Sequence, residues 1–173
     1  MTREESLVIA SMLVEAYPRD VQEGTLEAYA MHFADLERGA AIAAVKRLVA
    51  TSKWLPSIAE VRGEVAKASL PAAPSAGEAW TEAVRLMSRI GSYRTLGTAG
   101  SPYVNRTLRL CGRWADICQE DLTWLRKRFV ELYAEVVAGA REAMVVHGAA
   151  PEWLEARPPL VALEGGRQAL PRE

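Results

Sequence analysis

The run Lys53-Trp54-Leu55-Pro56-Ser57-Ile58-Ala59-Glu60-Val61-Arg62 decides how the first half of this chain is read. Pro56 closes an extended turn, because a proline ring pushes the residue before it out of the helical region. Ser57 and Glu60 then stand in capping-box spacing. The serine hydroxyl accepts from the backbone N–H at Glu60, and the glutamate carboxylate accepts from the N–H at Ser57. A short helix follows, with Ile58, Val61 and Val65 on its apolar side, and Trp54 and Leu55 just before the cap set its entry angle as a hydrophobic staple does. The segment thus reads as the start of a short helix in a small helical unit.

Working outward, the same grammar recurs. Thr2 and Glu5 form another capping box, Leu7, Val8, Met12 and Ala16 follow a helical period, and Tyr17-Pro18 ends the run. A second helix is expected over residues 21–36, with Leu26, Tyr29, Phe33 and Leu36 on one stripe, and a third with Ile42, Val45, Leu48 and Val49 on one face. Residues 70–77, LPAAPSAG, carry no charge and two prolines, and read as a short linker. Ser75 and Glu78 make a third box, launching a helix to about Ile90 that groups Trp80, Val84 and Met87. Pro102 suits a first helical position, Gly112 an end, and residues 119–146 read as one long helix through Leu122, Leu125, Phe129, Leu132, Val136 and Met144. After Gly148 the Gly and Pro content rises, which reads as a mobile tail, with Trp153, Leu154, Leu160, Val161 and Leu163 able to dock on something. The expected fold is all-α: an N-terminal bundle (1–69), a linker (70–77), a second helical unit (78–147) and a flexible tail (148–173).

Composition narrows function mainly by exclusion. The net charge of −1 supplies no overall basic field for nucleic acid. Cys111 and Cys118 lie far from the close pairing of common zinc sites, and His32 and His147 fall in different units, so no metal or cofactor is expected. The chain contains neither a glycine loop followed by Lys-Ser or Lys-Thr nor a nucleophile elbow, and a non-enzymatic role follows. No stretch is apolar enough to span a membrane and the N-terminus lacks signal-peptide order, which predicts a cytoplasmic protein.

Charge placement says more than charge total. From Arg85 to Arg113 there are six arginines and no acid. Arg106, Arg109 and Arg113 recur at helical spacing and are expected on one face, with Arg126 and Lys127 adding a second cluster. Arginine forks suit phosphate, and Tyr93 and Tyr103 would offer stacking surfaces for unpaired bases. The competing reading is a solvated face whose arginines pair with acids elsewhere. Trp80, Trp114 and Trp124 are expected as core anchors. Trp54, on a turn, is open to either a staple or an exposed anchor for a partner.

Residues 1–68 resemble the phage-encoded replicative helicase loader/inhibitor family. The resemblance rests on a helical opening ending in Tyr17-Pro18, a Leu26-x-x-Tyr29 helix, a helix of small and aliphatic residues, and the Trp54-to-Arg62 segment. It implies a small helical bundle that binds a hexameric DnaB-type helicase, holds it inactive and delivers it to an origin-bound replication protein. It places partner contacts on Trp54, Leu55, Pro56, Glu60 and Arg62. In that family a flexible C-terminal segment grasps the helicase, whereas here a second helical unit comes first. The resulting expectation is an accessory DNA-replication protein of phage or prophage type. The alternatives are a nucleic-acid-binding regulatory or packaging-type phage protein that contacts DNA through Arg106, Arg109, Arg113, Arg126 and Lys127, and a purely structural adaptor.

Overall fold

A computed structural model describes residues 1–18 and 21–155, and among these the regular structure is entirely helical. The order is α1 (Arg3–Val14), α2 (Thr25–Phe33), α3 (Arg38–Thr51), α4 (Ile58–Ser69), α5 (Ala76–Ile90), α6 (Pro102–Cys111), α7 (Trp114–Ile117), α8 (Leu122–His147) and α9 (Glu152–Glu155). All three capping boxes form, at Thr2/Glu5, Ser57/Glu60 and Ser75/Glu78. Pro102 occupies the first turn of α6, and Gly112 ends that helix with a positive φ of 143°.

Apolar side chains collect in two cores. In the first, α1 to α4 enclose Ile9, Leu13, Phe33, Leu36, Val45, Val61 and Val65. In the second, α5, α6 and α8 enclose Ala83, Leu86, Val104, Leu108, Ile117, Leu125 and Phe129, with Trp80 packed on Phe129 at 5.5 Å between ring centroids. Trp114 is half-buried and donates its indole N–H to Gly91 O at 2.9 Å. Trp124, expected as a core anchor, is instead 70 % exposed at the start of α8 and anchors neither core.

The stripe of α1 also differs from its expected register. Ser6, Ile9, Ala10, Leu13 and Val14 face the core, while Val8 and Met12 face outward. The buried set keeps helical spacing, but it runs through a serine and an alanine, so larger exposed neighbours outweigh it in a hydropathy reading. Ser6 is satisfied within the helix, its hydroxyl donating to Arg3 O at 2.9 Å.

α8 joins the two cores. Leu125, Phe129, Tyr133, Val136 and Ala140 belong to the second, yet Met144 belongs to the first, where α8 packs on α4. The segment between α4 and α5 is docked. Leu70 touches both cores, the Tyr103 hydroxyl donates to Pro71 O at 3.2 Å, and the Tyr133 hydroxyl donates to Pro74 O at 2.6 Å. The first residues after Gly148 are docked too: Leu154 is buried in the second core, and the Trp153 ring meets Tyr103 edge-on at 5.6 Å. The remainder of the expected tail, 156–173, including Leu160, Val161 and Leu163, lies outside the described residues.

Candidate protein-binding surface

Between α3 and α4 the chain makes an extended turn, and two buried phenols hold its ends. Tyr17, just after α1, donates its hydroxyl to Ser52 O at 3.1 Å and to Leu48 O at 3.3 Å. Tyr29 of α2 donates to Pro56 O at 2.6 Å, with its ring edge-on to Phe33 at 5.8 Å. Pro56 is buried and Leu55 packs on the first core. Glu60 closes the turn: its Oε2 accepts from Ser57 N at 2.7 Å and Ser57 Oγ at 2.8 Å. The hydrogen bond from the Ser57 backbone, then that from its hydroxyl, hold the Glu60 carboxyl below the usual carboxylate range.

Trp54 is what this clamped turn presents. It is 66 % exposed, and Lys53 Nζ lies over its ring at 5.1 Å from the centroid. A large side chain on a backbone already held at both ends loses little conformational freedom on contact, as a binding anchor should. The same unit has an apolar groove of about 460 Å³ between α1 and α2, lined by Leu7, Ala30, Met31 and Ala34 and flanked by Arg3 and Glu27. Met31, at 69 % exposure, projects beside it. Nothing in residue spacing singled out Met31, because it lies off the α2 core stripe.

The five residues expected to touch a partner therefore divide. Trp54 is presented, Leu55 is half-buried, Pro56 is inside and Glu60 is occupied as a cap. Arg62 is placed in the interior, at 6 % exposure. Its Nε donates to Val145 O. One terminal nitrogen donates to His32 O and to Asp35 Oδ1 at 2.8 Å, the other to Asp35 Oδ2 at 2.7 Å and to Val146 O at 3.3 Å. All five N–H groups of the fork are thereby used. A buried cation so fully engaged cannot also meet a partner, and its work is to fasten the C-terminal turn of α8 to α2 and α4.

The expected nucleic-acid residues divide as well. Arg106 is exposed on α6, but Arg109 donates to Gly97 O at 2.7 Å. Arg113 lies past the Gly112 break and stands 3.6 Å from Asp116, so Arg106, Arg109 and Arg113 do not share a helix face. Tyr103 is buried with its hydroxyl engaged and cannot stack on a base, whereas Tyr93 is fully exposed. Arg126 and Lys127 are exposed on α8 with no acid within ion-pair distance among the described residues, while the adjacent Arg128 pairs with Glu120 at 2.5 Å. Among the described residues no three of His, Cys, Asp and Glu are grouped to hold a metal, and no helix is long and apolar enough to cross a membrane.

Residues 1–62 match the family model described as G39P, N-terminal domain, the N-terminal domain of a phage helicase loader/inhibitor. The match runs through the clamped turn and ends on Arg62. No curated protein and no solved structure matches the chain.

Proposed function

We propose that this protein is an accessory replication factor that binds a hexameric DnaB-type helicase and loads or restrains it, acting by contact and not by catalysis. The observation that carries the reading is the family match over residues 1–62, whose fold presents an exposed tryptophan on a pinned turn. An origin-bound replication protein is the natural second partner for a factor of this kind. A non-catalytic role accords with the lack of a phosphate-binding glycine loop in the sequence.

The test is binding of the purified full chain to a purified hexameric replicative helicase from a phage host, by co-sedimentation and titration. The wild type is expected to bind, and Trp54→Ala to weaken binding about 30-fold, the loss of a contact worth about 2 kcal/mol. Because Trp54 is largely exposed, the variant should keep its stability within about 0.5 kcal/mol. A wild-type chain that does not bind the helicase overturns the reading. A folded Trp54→Ala variant that binds as well as wild type moves the contact away from the turn.

A further inference from the structure

One face of α5 carries Glu78, Glu82, Arg85 and Arg89, spaced at three and four residues so that they line up along the helix. The two halves of this face are in opposite electrostatic situations. Glu78 Oε2 accepts from Ser75 N at 2.9 Å and Ser75 Oγ at 2.6 Å, and Glu82 Oε1 accepts from Ser101 N at 2.6 Å. Gly100 allows this second contact. Its φ is +90°, and a β-carbon there would lie 2.6 Å from Glu82 Oε1 and 2.8 Å from Leu86 Cδ1. Both carboxylates line the groove beside the arginines and offset part of their charge, but each has one oxygen committed to backbone or hydroxyl donors, which holds it in place away from the arginine forks.

The arginines have no such partners. Arg85 and Arg89 make no ion pair or hydrogen bond among the described residues, and Arg126 of α8 lines the same open groove, equally unpaired. Like charges four residues apart on a helix repel, and a third cation on the facing helix adds to that cost. An anion in the groove reverses its sign. The groove is wide, about 1020 Å³, and solvent-facing, which suits an extended chain more than a small molecule. Arg85 and Arg89 are separated by about 6 Å along the helix axis, a rise that lets neighbouring charges of an extended polyanion meet both. All three cations are arginines, whose planar forks grip phosphate oxygens in pairs.

We propose that the groove between α5 and α8 binds the phosphate backbone of a single nucleic-acid strand through Arg85, Arg89 and Arg126. This site is separate from the clamped turn and does not rest on the helicase reading. It also differs from a site on Arg106, Arg109 and Arg113, two of which are already engaged.

The test is fluorescence anisotropy of a labelled oligothymidylate with the full chain, between about 50 and 200 mM salt. The wild type is expected to bind with an affinity that falls as salt rises. The triple variant Arg85→Gln, Arg89→Gln, Arg126→Gln should lower the salt slope by about two units, at about 0.7 per strand phosphate. The triple Lys variant, which keeps charge and loses the forks, should retain most of the slope with weaker binding. Arg106→Gln alone should behave as wild type. The inference is overturned by a wild type that does not bind, by a folded triple Gln variant with unchanged affinity and slope, or by a polyglutamate of equal charge competing as well as the oligonucleotide. Helicase binding by the triple Gln variant is expected to be intact, which keeps this result independent of the preceding section.

Discussion

At Arg62 a single guanidinium has its five donors divided among Asp35, the carbonyl of His32 and two carbonyls at the end of α8. Removing it strips the last turn of α8 of donors for carbonyls that have no partner inside the helix. It also leaves Asp35 uncompensated. Replacement by methionine, similar in length but unable to donate, is expected to destabilise the protein by about 3 kcal/mol in urea titration. That is the low end for a broken buried pair, since the Asp35 side chain is itself 43 % exposed. Replacement by lysine keeps charge but cannot span the same acceptors, and should fall between the two. The hydrogen bond from Arg62 holds the Asp35 carboxyl below its usual range. Its stabilising contribution is therefore present above the unfolded carboxylate value of about 4 and lost as pH falls through the folded value. An Arg62→Met protein should show a flatter loss of stability with acid than wild type, and an unchanged acid limb would mean that the pair is not coupled to folding. In the sequence Arg62 is merely the end of a motif, and an arginine there reads as surface. Its burial depends on Asp35 and on carbonyls more than eighty residues away, contacts that no local spacing encodes.

Helix ends were legible because capping is a local transaction between residues three apart, and the three boxes sit where Ser or Thr precedes Glu. Connections were less so. Residues 70–77 have the composition of a free linker, but two phenols from α6 and α8 bind the carbonyls of Pro71 and Pro74. The Tyr133 phenol is pushed up to about 12, first by burial and then by the nearby Tyr103, Glu82 and Glu78. Because the folded value lies above the unfolded value of about 10, this contact contributes fully below pH of about 10 and is lost as pH rises through the folded value. Tyr133→Phe removes the hydroxyl at any pH. It should cost about 1 kcal/mol and speed proteolytic cutting between Leu70 and Gly77. If wild type and variant are cut there at one rate, the hydrogen bond does not restrain the segment. The turn before α4 allows a parallel test. Tyr29→Phe deletes the bond to Pro56 O, should cost about 1 kcal/mol, and should weaken helicase binding without touching Trp54 itself. Helicase binding unchanged by that deletion would show that the turn does not need its clamp.

On the scale of the whole molecule, two cores share one 26-residue helix, α8, which is about 39 Å long. Its first two-thirds complete the second core, and its last turn inserts Met144 into the first. The end of that turn is closed by Gly148, whose φ of +68° favours glycine and which lies against Asp35; a β-carbon there would lie 2.5 Å from Asp35 Oδ2 and 3.0 Å from the Asp35 carbonyl oxygen. A division into two helical units with a linker misses that the later unit supplies part of the earlier one. This sharing is invisible locally because Met144 merely continues the helical period of α8. It makes the cores thermodynamically dependent. Met144→Ala should cost about 2 to 5 kcal/mol as a buried truncation, and Gly148→Ala about 1 to 3 as a strained backbone position. Both changes lie in the later part of the sequence, yet each should raise amide hydrogen exchange in α1, α2 and α4 as well as in the end of α8. Tyr133→Phe, remote from the first core, should affect α5 and α6 first. If Met144→Ala accelerates exchange along α8 while Ile9, Phe33 and Val65 exchange as in wild type, the cores unfold separately. The α4–α8 contact would then be an association of two independent units and not a shared core.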